Sequence, residues 1–500
     1  MRKKLLASGV SLLLIYLAWA WGGLQQNWLL PVVWVSIILL IGLLISPTRA
    51  STEVSSRGIP WWGDVFFYSG LLFLGYLAIQ WWNAGRVLFF DVGLKEWRYS
   101  PPPYPGWPSA FSKPEAAQML FWFFPAWVFG LAVRSPLADS RSVLRLLRTL
   151  VYGAGLLSLV GIVQFVTHAK ARLWVRPTEE FFASFGYTNH AAAFFVLMGA
   201  LAAGLLYREI FRAQPRGFTV GTSAHPTHRE RPLRTTMLAV SLLFCLIGAN
   251  LSLSRAGVIL AWALAVFIAI YGLSKGWRRL NKAARINLAA VTIALLFVFY
   301  FAVAGFGKSA ISYEFHVSKP IHHRLVPALD MINLALADRP LLDRAAWSMW
   351  QDHPAFGIGG WGFRYLLAFY LPTEEWKTHV EGYGNANVHC DILQFLAEFG
   401  SLGCGLMLAS VLALVVTLCR NANQTDPVWL MCVLGLSLVV VFSLIDLPFR
   451  CPAILCSWVA VLAAVPRVTS QTNGAPHGAH AFRRRRTRPS VLNPATHNRI

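Results

Sequence analysis

Long apolar stretches separated by shorter polar segments run along most of the chain. Runs of about 20 predominantly apolar residues are the length that a helix needs to cross a bilayer. The pattern therefore predicts an all-α polytopic membrane protein with about 12 transmembrane helices. The predicted spans are residues 5–21, 28–46, 62–83, 116–133, 149–167, 187–206, 235–253, 256–273, 287–306, 390–419, 427–445 and 452–466.

One polar interruption is much longer than the others. Residues 307–389 carry eight acidic and seven basic residues, too many charges to lie in lipid. We predict four regions: 1–306 with helices 1–9, 307–389 as one large extracytoplasmic catalytic loop with short helices, 390–466 with helices 10–12, and 467–500 as a basic, disordered cytoplasmic tail. In the loop, Arg339-Pro340 begins a predicted helix, since proline is favoured in the first turn. Its 3.6-residue period places Arg344, Trp347 and Gln351 on one face.

Composition and charge fix the class and the orientation. The chain is 56% hydrophobic and 13% charged, against about 25% charged residues in soluble domains. With the N-terminus inside, the inside segments hold 28 Lys and Arg and the outside segments hold 16, of which seven lie in the long loop. Long loops do not count in the positive-inside rule, so the excess predicts that both termini are cytoplasmic. The net charge of +22 thus reflects topology and not nucleic-acid binding.

A glycine-rich segment, Gly357-Ile358-Gly359-Gly360-Trp361-Gly362, matches GxGxxG. A dinucleotide site is rejected because no βαβ pattern surrounds the motif. Two interpretations stay open: a tight turn that needs φ > 0, or a bare backbone whose N–H groups approach a phosphate or a sugar.

Two side chains at span boundaries are candidates for chemistry. Arg255 stands among small residues between spans seven and eight, where it either snorkels to the surface or clamps a diphosphate. His389 begins span ten, where the positive end of the helix dipole favours the neutral imidazole that a general base needs. Its alternative role is a simple structural hydrogen bond. The loop histidines and the seven cysteines fit no metal or disulfide spacing, so we expect no metal site. Asp446 and Arg450 are expected to stabilise a helix break.

The segments DHPAFGIGGWGF and NVHCDILQFLAEFGSLG resemble the O-antigen ligase and polymerase superfamily of membrane glycosyltransferases. His353, Pro354, Gly357, Gly359, Phe363, His389, Leu393, Glu398 and Gly400 match the family pattern. Cys390 departs from it, since the family usually has Asn there. Ser254-Arg255-Ala256-Gly257 is similar to a second family element, and Arg344 resembles the arginine that precedes the His-Pro block.

The resemblance implies a protein of the bacterial inner membrane that acts in polysaccharide or lipopolysaccharide biosynthesis. It would transfer a glycan from an undecaprenyl-diphosphate carrier to an acceptor hydroxyl on the extracytoplasmic side. The resemblance also implies that Arg255 and Arg344 bind the diphosphate, with Arg324 as a weaker candidate, and that His389 is the base. Phe356, Trp361 and Phe363 would stack on sugars, and no metal or other cofactor is expected. The acceptor stays open between lipid A core (a ligase), another glycan (a polymerase) and a protein hydroxyl (an O-oligosaccharyltransferase).

Two other classes are compatible with the pattern. Twelve spans with both ends inside are a common layout for a transporter of lipid-linked glycans or small anions, although no internal repeat is visible. A non-catalytic scaffold that binds glycan through the loop is the third possibility.

Overall fold

A computed structural model describes residues 2–45, 64–135, 138–177, 181–211, 230–277, 339–371 and 387–470. This part of the chain is dominated by α-helices. In chain order they are α1 Arg2–Trp19, α2 Gln26–Ile45, α3 Val65–Trp82, α4 Lys113–Arg134, α5 Ser140–Val166, α6 Thr188–Phe211, α7 Glu230–Leu251, α8 Arg255–Trp277, α9 Arg339–Asp352, α10 Phe363–Tyr370, α11 Asp391–Asn421, α12 Pro427–Phe442 and α13 Pro452–Thr469. Short 3₁₀ turns lie at Trp21–Gly23 and Pro448–Arg450.

The helical membrane-protein prediction is confirmed. Among the described residues, nine helices are long and apolar enough to cross a membrane, and Ala7–Trp19 and Pro427–Phe442 are shorter apolar helices. These eleven match eleven of the twelve predicted spans, while the predicted span 287–306 lies outside the described residues. The last helix extends to Thr469, so Arg467 belongs to α13 and not to the tail, and its guanidinium donates to the Ala138 carbonyl at 2.9 Å. The segment 471–500 is outside the described part.

Helices α6 and α13 form the centre of the bundle. In each of these helices, 89% of the most apolar 18-residue segment is buried within the protein, against 28% for α2 and 22% for α8. Small residues let α6 and α12 approach closely, as expected where apolar association gains nothing from lipid. A Cβ on Gly435 would lie 2.4 Å from the Ala200 methyl, and one on Gly204 would lie 3.0 Å from the Val428 backbone.

The segment between α3 and α4 includes a short element of β structure. It contains an antiparallel hairpin of β1 Leu88–Asp91 and β2 Glu96–Tyr99, in which Leu88 pairs with Tyr99. Asp91 shapes the turn, since its carboxylate accepts from the Gly93 and Leu94 amides at 2.9 and 3.1 Å. A second, minimal pair joins Ala171–Arg172 to Arg176–Pro177.

The described part of the long loop has its own small core. Helix α9 buries Ala345, Ala346 and Met349 against Ile358 and Phe363. Phe111, from the segment before α4, joins the same core. The predicted helix at Arg339 is thus confirmed, and Arg344, Trp347 and Gln351 all lie on its exposed face.

Helix α11 is broken at Gly400, which has a left-handed backbone (φ 62°). The turn after α9 docks into the break. The Ile358 and Gly359 amides donate to the Ala397 and Glu398 carbonyls at 3.0 and 2.8 Å, and the Ser401 amide donates to the Pro354 carbonyl at 2.8 Å. The Tyr76 hydroxyl of α3 binds the Phe356 and Phe399 carbonyls from both sides of the junction. These bonds fix the loop onto the start of α11, where His389 lies.

Candidate active site

His389 lies two residues before the first residue of α11, in a left-handed conformation with φ 59°. Its side chain is 33% exposed, and its Nδ1 lies 3.8 Å from Asp446 Oδ1. That distance is too long for a hydrogen bond but short enough for charge interaction. The Asp391 amide donates to the Ser443 and Asp446 carbonyls at 2.9 and 3.2 Å, which joins the start of α11 to the turn after α12. The backbone therefore sets Asp446 beside His389.

Asp446 is itself held by several donors. The Tyr187 hydroxyl lies 2.9 and 3.0 Å from its two carboxylate oxygens, the Leu447 amide donates at 2.8 Å, and Asn189 Nδ2 donates to Oδ2. The residue is only 2% exposed. Burial alone would raise the pKa of Asp446, but His389 and the Leu447 amide outweigh burial, and the pKa is lowered. The carboxyl is therefore held as an anion beside the imidazole.

A buried ionic cluster lies between α11 and the 3₁₀ turn Pro448–Arg450. The Arg450 guanidinium donates to Glu398 at 2.5 Å and lies 4.0 Å from the Asp391 carboxylate, which in turn accepts from the Phe449 amide at 2.7 Å. Gln394 donates to Glu398 at 3.0 Å. Breaking a buried ion pair by removing one partner leaves an uncompensated charge and costs about 3–5 kcal/mol. The cluster therefore fastens α11 to the 3₁₀ turn that carries Arg450.

Arg339 and Asp343 of α9 reach the same place. The Arg339 guanidinium donates to the Ile445 carbonyl, the residue before Asp446, at 2.8 Å. Burial raises the pKa of Asp343, while Arg339 and His389 act against that rise. A cation, a carboxyl and an imidazole thus meet at the junction of α9, α11 and the turn after α12.

The glycine turn supports this junction from the side. A Cβ on Gly357 would lie 2.5 Å from Glu398 backbone atoms, and one on Gly359 would lie 2.3 Å from the Ser109 carbonyl oxygen. The amides of Gly357, Ile358 and Gly359 all donate to protein carbonyls. Of the two interpretations of this motif, the structure favours the tight turn, because these three amides are already occupied.

The aromatic residues of the turn lie in two different settings. Trp361 is partly exposed, and its ring is flanked by the guanidinium groups of Arg364 at 4.2 Å and Arg450 at 4.6 Å. Phe363 is fully buried in the core of the loop and Phe356 is half-buried. The expectation that Phe363 offers a stacking face is therefore not supported, because its ring is enclosed.

Two of the three predicted arginines, Arg255 and Arg344, are exposed. Arg255 is the exposed first residue of α8. Two residues later, Gly257 packs on Ala192 of α6 so closely that an added Cβ would lie 2.2 Å from that methyl. Ala192 is three residues after Asn189, so Arg255 lies at the end of the bundle where Asp446 is held. Arg344 is exposed on α9, and Arg324 lies outside the described residues.

The candidate metal ligands of the long loop are histidines. His316, His322, His323 and His379 are outside the described part. Within the described ranges no group of three or more His, Cys, Asp or Glu side chains has a metal-binding arrangement.

A protein-family model matches part of the chain. The family model described as O-antigen ligase matches residues 240–408. Residues 240–408 are thus similar to the O-antigen ligase domain. This match confirms the resemblance to the O-antigen ligase and polymerase superfamily. Together with the apolar helices it indicates a multi-pass membrane protein, and it broadly supports an O-antigen ligase-like membrane glycosyltransferase. A search of curated proteins found no match.

The O-antigen ligase domain contains Arg255, α9, the glycine turn, His389 and the first half of α11. The residues that hold the Asp446 carboxylate and the start of α11 lie partly outside this domain. Asp446 and Arg450 follow the matched region, and Tyr187 and Asn189 precede it.

The sequence analysis missed Tyr187, Asn189 and Arg339. One signal was available for Asn189, because a polar residue at the start of an otherwise apolar span is expensive and points to a function. Arg339 was seen only as the start of a helix. That it reaches Ile445 depends on the tertiary placement of α9.

Proposed function

We propose that the protein transfers a glycan from undecaprenyl diphosphate to an acceptor hydroxyl on the extracytoplasmic side of a bacterial inner membrane. The observation that carries this proposal is His389 within the O-antigen ligase domain, partly exposed, with Nδ1 towards the buried Asp446 carboxylate. An imidazole with Nδ1 towards the carboxylate keeps Nε2 for the acceptor. Hydrogen bonds of catalytic pairs are often long in a free enzyme and shorten in the reactive complex, so 3.8 Å is compatible with this role.

In the proposed reaction, Nε2 of His389 removes the proton from the acceptor hydroxyl. The acceptor oxygen forms a bond to the anomeric carbon as the bond from that carbon to the diphosphate oxygen breaks, and the lipid diphosphate leaves with the electron pair. Direct displacement inverts the anomeric configuration. Asp446 stabilises the imidazolium that forms, as the carboxylate does in other His–Asp pairs.

Charge on the leaving diphosphate is stabilised by arginine side chains. We propose Arg339 for this role, beside the predicted Arg255 and Arg344, because Arg339 lies next to the turn that carries Asp446. Guanidinium groups bind phosphate oxygens bidentately and stay charged. Because the diphosphate is a good leaving group, positioning and these cations are sufficient in the proposal, and we expect transfer to persist in EDTA.

The test is turnover by the purified full-length protein in liposomes with an undecaprenyl-diphosphate glycan. Three acceptors are supplied separately: lipid A core, a second carrier-linked glycan, and a peptide with Ser and Thr. We expect glycan on one acceptor and an equal amount of free lipid diphosphate. Movement of the lipid-linked glycan across the bilayer, with no transfer to any acceptor, would identify a transporter instead.

A further inference from the structure

We propose that Tyr187 and Asn189 are positioning residues that hold the Asp446 carboxylate, as an anion, towards His389. The inference rests on the proposed function, because it assigns how the base of that reaction is oriented. Both residues lie at the start of α6, outside the matched O-antigen ligase domain. The reacting imidazole would then depend on a part of the chain that the domain does not contain.

The geometry is a closed set of hydrogen bonds. Tyr187 donates to the carboxylate of Asp446 at 2.9 Å, and Asn189 Nδ2 donates both to that carboxylate and to the Tyr187 oxygen, the latter at 2.8 Å. The neighbouring His190 ring nitrogen lies 3.0 Å from the Leu447 carbonyl oxygen. Three residues at or just before the start of α6 therefore contact both the side chain of Asp446 and the backbone after it.

The charges around Asp446 explain why such donors are needed. Asp446, Asp391 and Glu398 are all nearly or fully buried, and the buried cation among them is Arg450. Arg450 is paired with Glu398 and close to Asp391. A buried carboxylate without a paired cation is stable only if hydrogen bonds satisfy it. Tyr187 and Asn189 supply those bonds from the opposite side and leave the His389 side of the carboxylate available.

A merely structural role is the competing explanation, since the same bonds fasten α6 to the turn after α12. The two roles differ in what they predict for double variants. If Tyr187 acts through Asp446, removing it matters little once Asp446 is already Asn. If it only stabilises the fold or contacts the glycan, the two losses multiply.

The first experiment measures glycan transfer by Tyr187→Phe, Asp446→Asn and the double variant. A hydrogen bond to a charged group contributes about 10- to 100-fold, so we expect Tyr187→Phe to lower kcat by about tenfold or more with little change in KM for the donor. The double variant should be no slower than Asp446→Asn. Tyr370→Phe is the matched control, because it removes a Tyr–Asp hydrogen bond (2.6 Å to Asp352) elsewhere in the loop.

The second experiment does not need turnover, so it separates failure of this inference from failure of the proposed function. Diethyl pyrocarbonate modification of His389 is followed by peptide mass spectrometry at pH 8. We expect slower modification in Asp446→Asn, because the imidazole loses its orienting carboxylate, and similar slowing in Tyr187→Phe with Asn189→Leu. An unchanged rate in the latter variant, or multiplicative losses in the first experiment, would overturn the proposal. If the wild-type protein transferred no glycan, the proposed function would be wrong instead.

Discussion

Arg339 and Arg344 are five residues apart on α9, which puts them about 140° apart around the helix at about 100° per residue. Arg339 binds the Ile445 carbonyl beside Asp446, and Arg344 lies on the exposed face. We predict that Arg339→Ala lowers glycan transfer by about 10- to 100-fold. Arg344→Ala should lower it less. Transfer rates of both variants at equal protein levels check this prediction. A larger loss in Arg344→Ala would show that Arg344, which the sequence pattern favours, binds the diphosphate instead.

Asp343 gives a pH-dependent prediction. Burial raises the pKa of its carboxyl, so between the ordinary Asp pKa of about 3.9 and the raised value the folded protein binds more protons than the unfolded chain. Stability therefore falls as the pH rises through that window and stays lower above it. Asp343→Asn should raise the thermal midpoint at pH 7 by about 1–3 °C, with the difference shrinking towards pH 4. A lower midpoint at pH 7 would mean that attraction to Arg339 outweighs burial.

At the scale of elements, the break in α11 depends on Gly400. An added Cβ there would lie 2.5 Å from both the Ala355 carbonyl oxygen and the Gly357 nitrogen, in a left-handed backbone. We predict that Gly400→Ala destabilises the protein by at least about 2 kcal/mol, because neither backbone can yield. Gly405→Ala, five residues later in open space, should leave the stability unchanged or slightly raised. Thermal midpoints in detergent compare the two, and equal midpoints would show that the loop does not need this junction.

These elements also show how far the sequence could predict the site. His389 and the glycine turn could be proposed from the sequence because their residue types and spacing are local properties of the chain. The break at Gly400 was not found, because apolar periodicity runs through both halves of α11 and only the docked turn explains it. Tyr187 and Asp446 are 259 residues apart. No local pattern joins them, so their contact becomes visible only when α6 packs beside α12 and α13.

At the scale of the whole molecule, the spans were predictable because bilayer thickness fixes helix length. Helix order in the interior was not, since it depends on close contacts of small residues such as Gly435 with Ala200. The orientation is still a prediction from charge. Contacts between the glycine turn and Ser109 put the site and the loop before α4 at the same end of the bundle. The exposed Trp107 therefore reports on the side of the site.

We predict that Trp107→Cys is labelled by a membrane-impermeant thiol reagent in intact cells, in a background without the seven native cysteines. Gln424→Cys, in the exposed turn between α11 and α12, should be labelled only after lysis. The charge count gives this expectation, because 28 basic residues lie in the predicted inside segments. The reverse labelling pattern would place the site on the cytoplasmic side.

The role of His389 as the base is tested by the rate of glycan transfer by His389→Gln, measured together with binding of the donor lipid. Glutamine keeps a hydrogen-bonding side chain of similar reach but cannot accept the proton from the acceptor hydroxyl. Removal of a general base costs about 10²–10⁴-fold in rate. We predict that His389→Gln accumulates in the membrane and binds the donor like the wild-type protein, yet transfers glycan at least about 100-fold more slowly. Transfer within about threefold of the wild-type rate, well short of that loss, would contradict the assignment of His389 as the base.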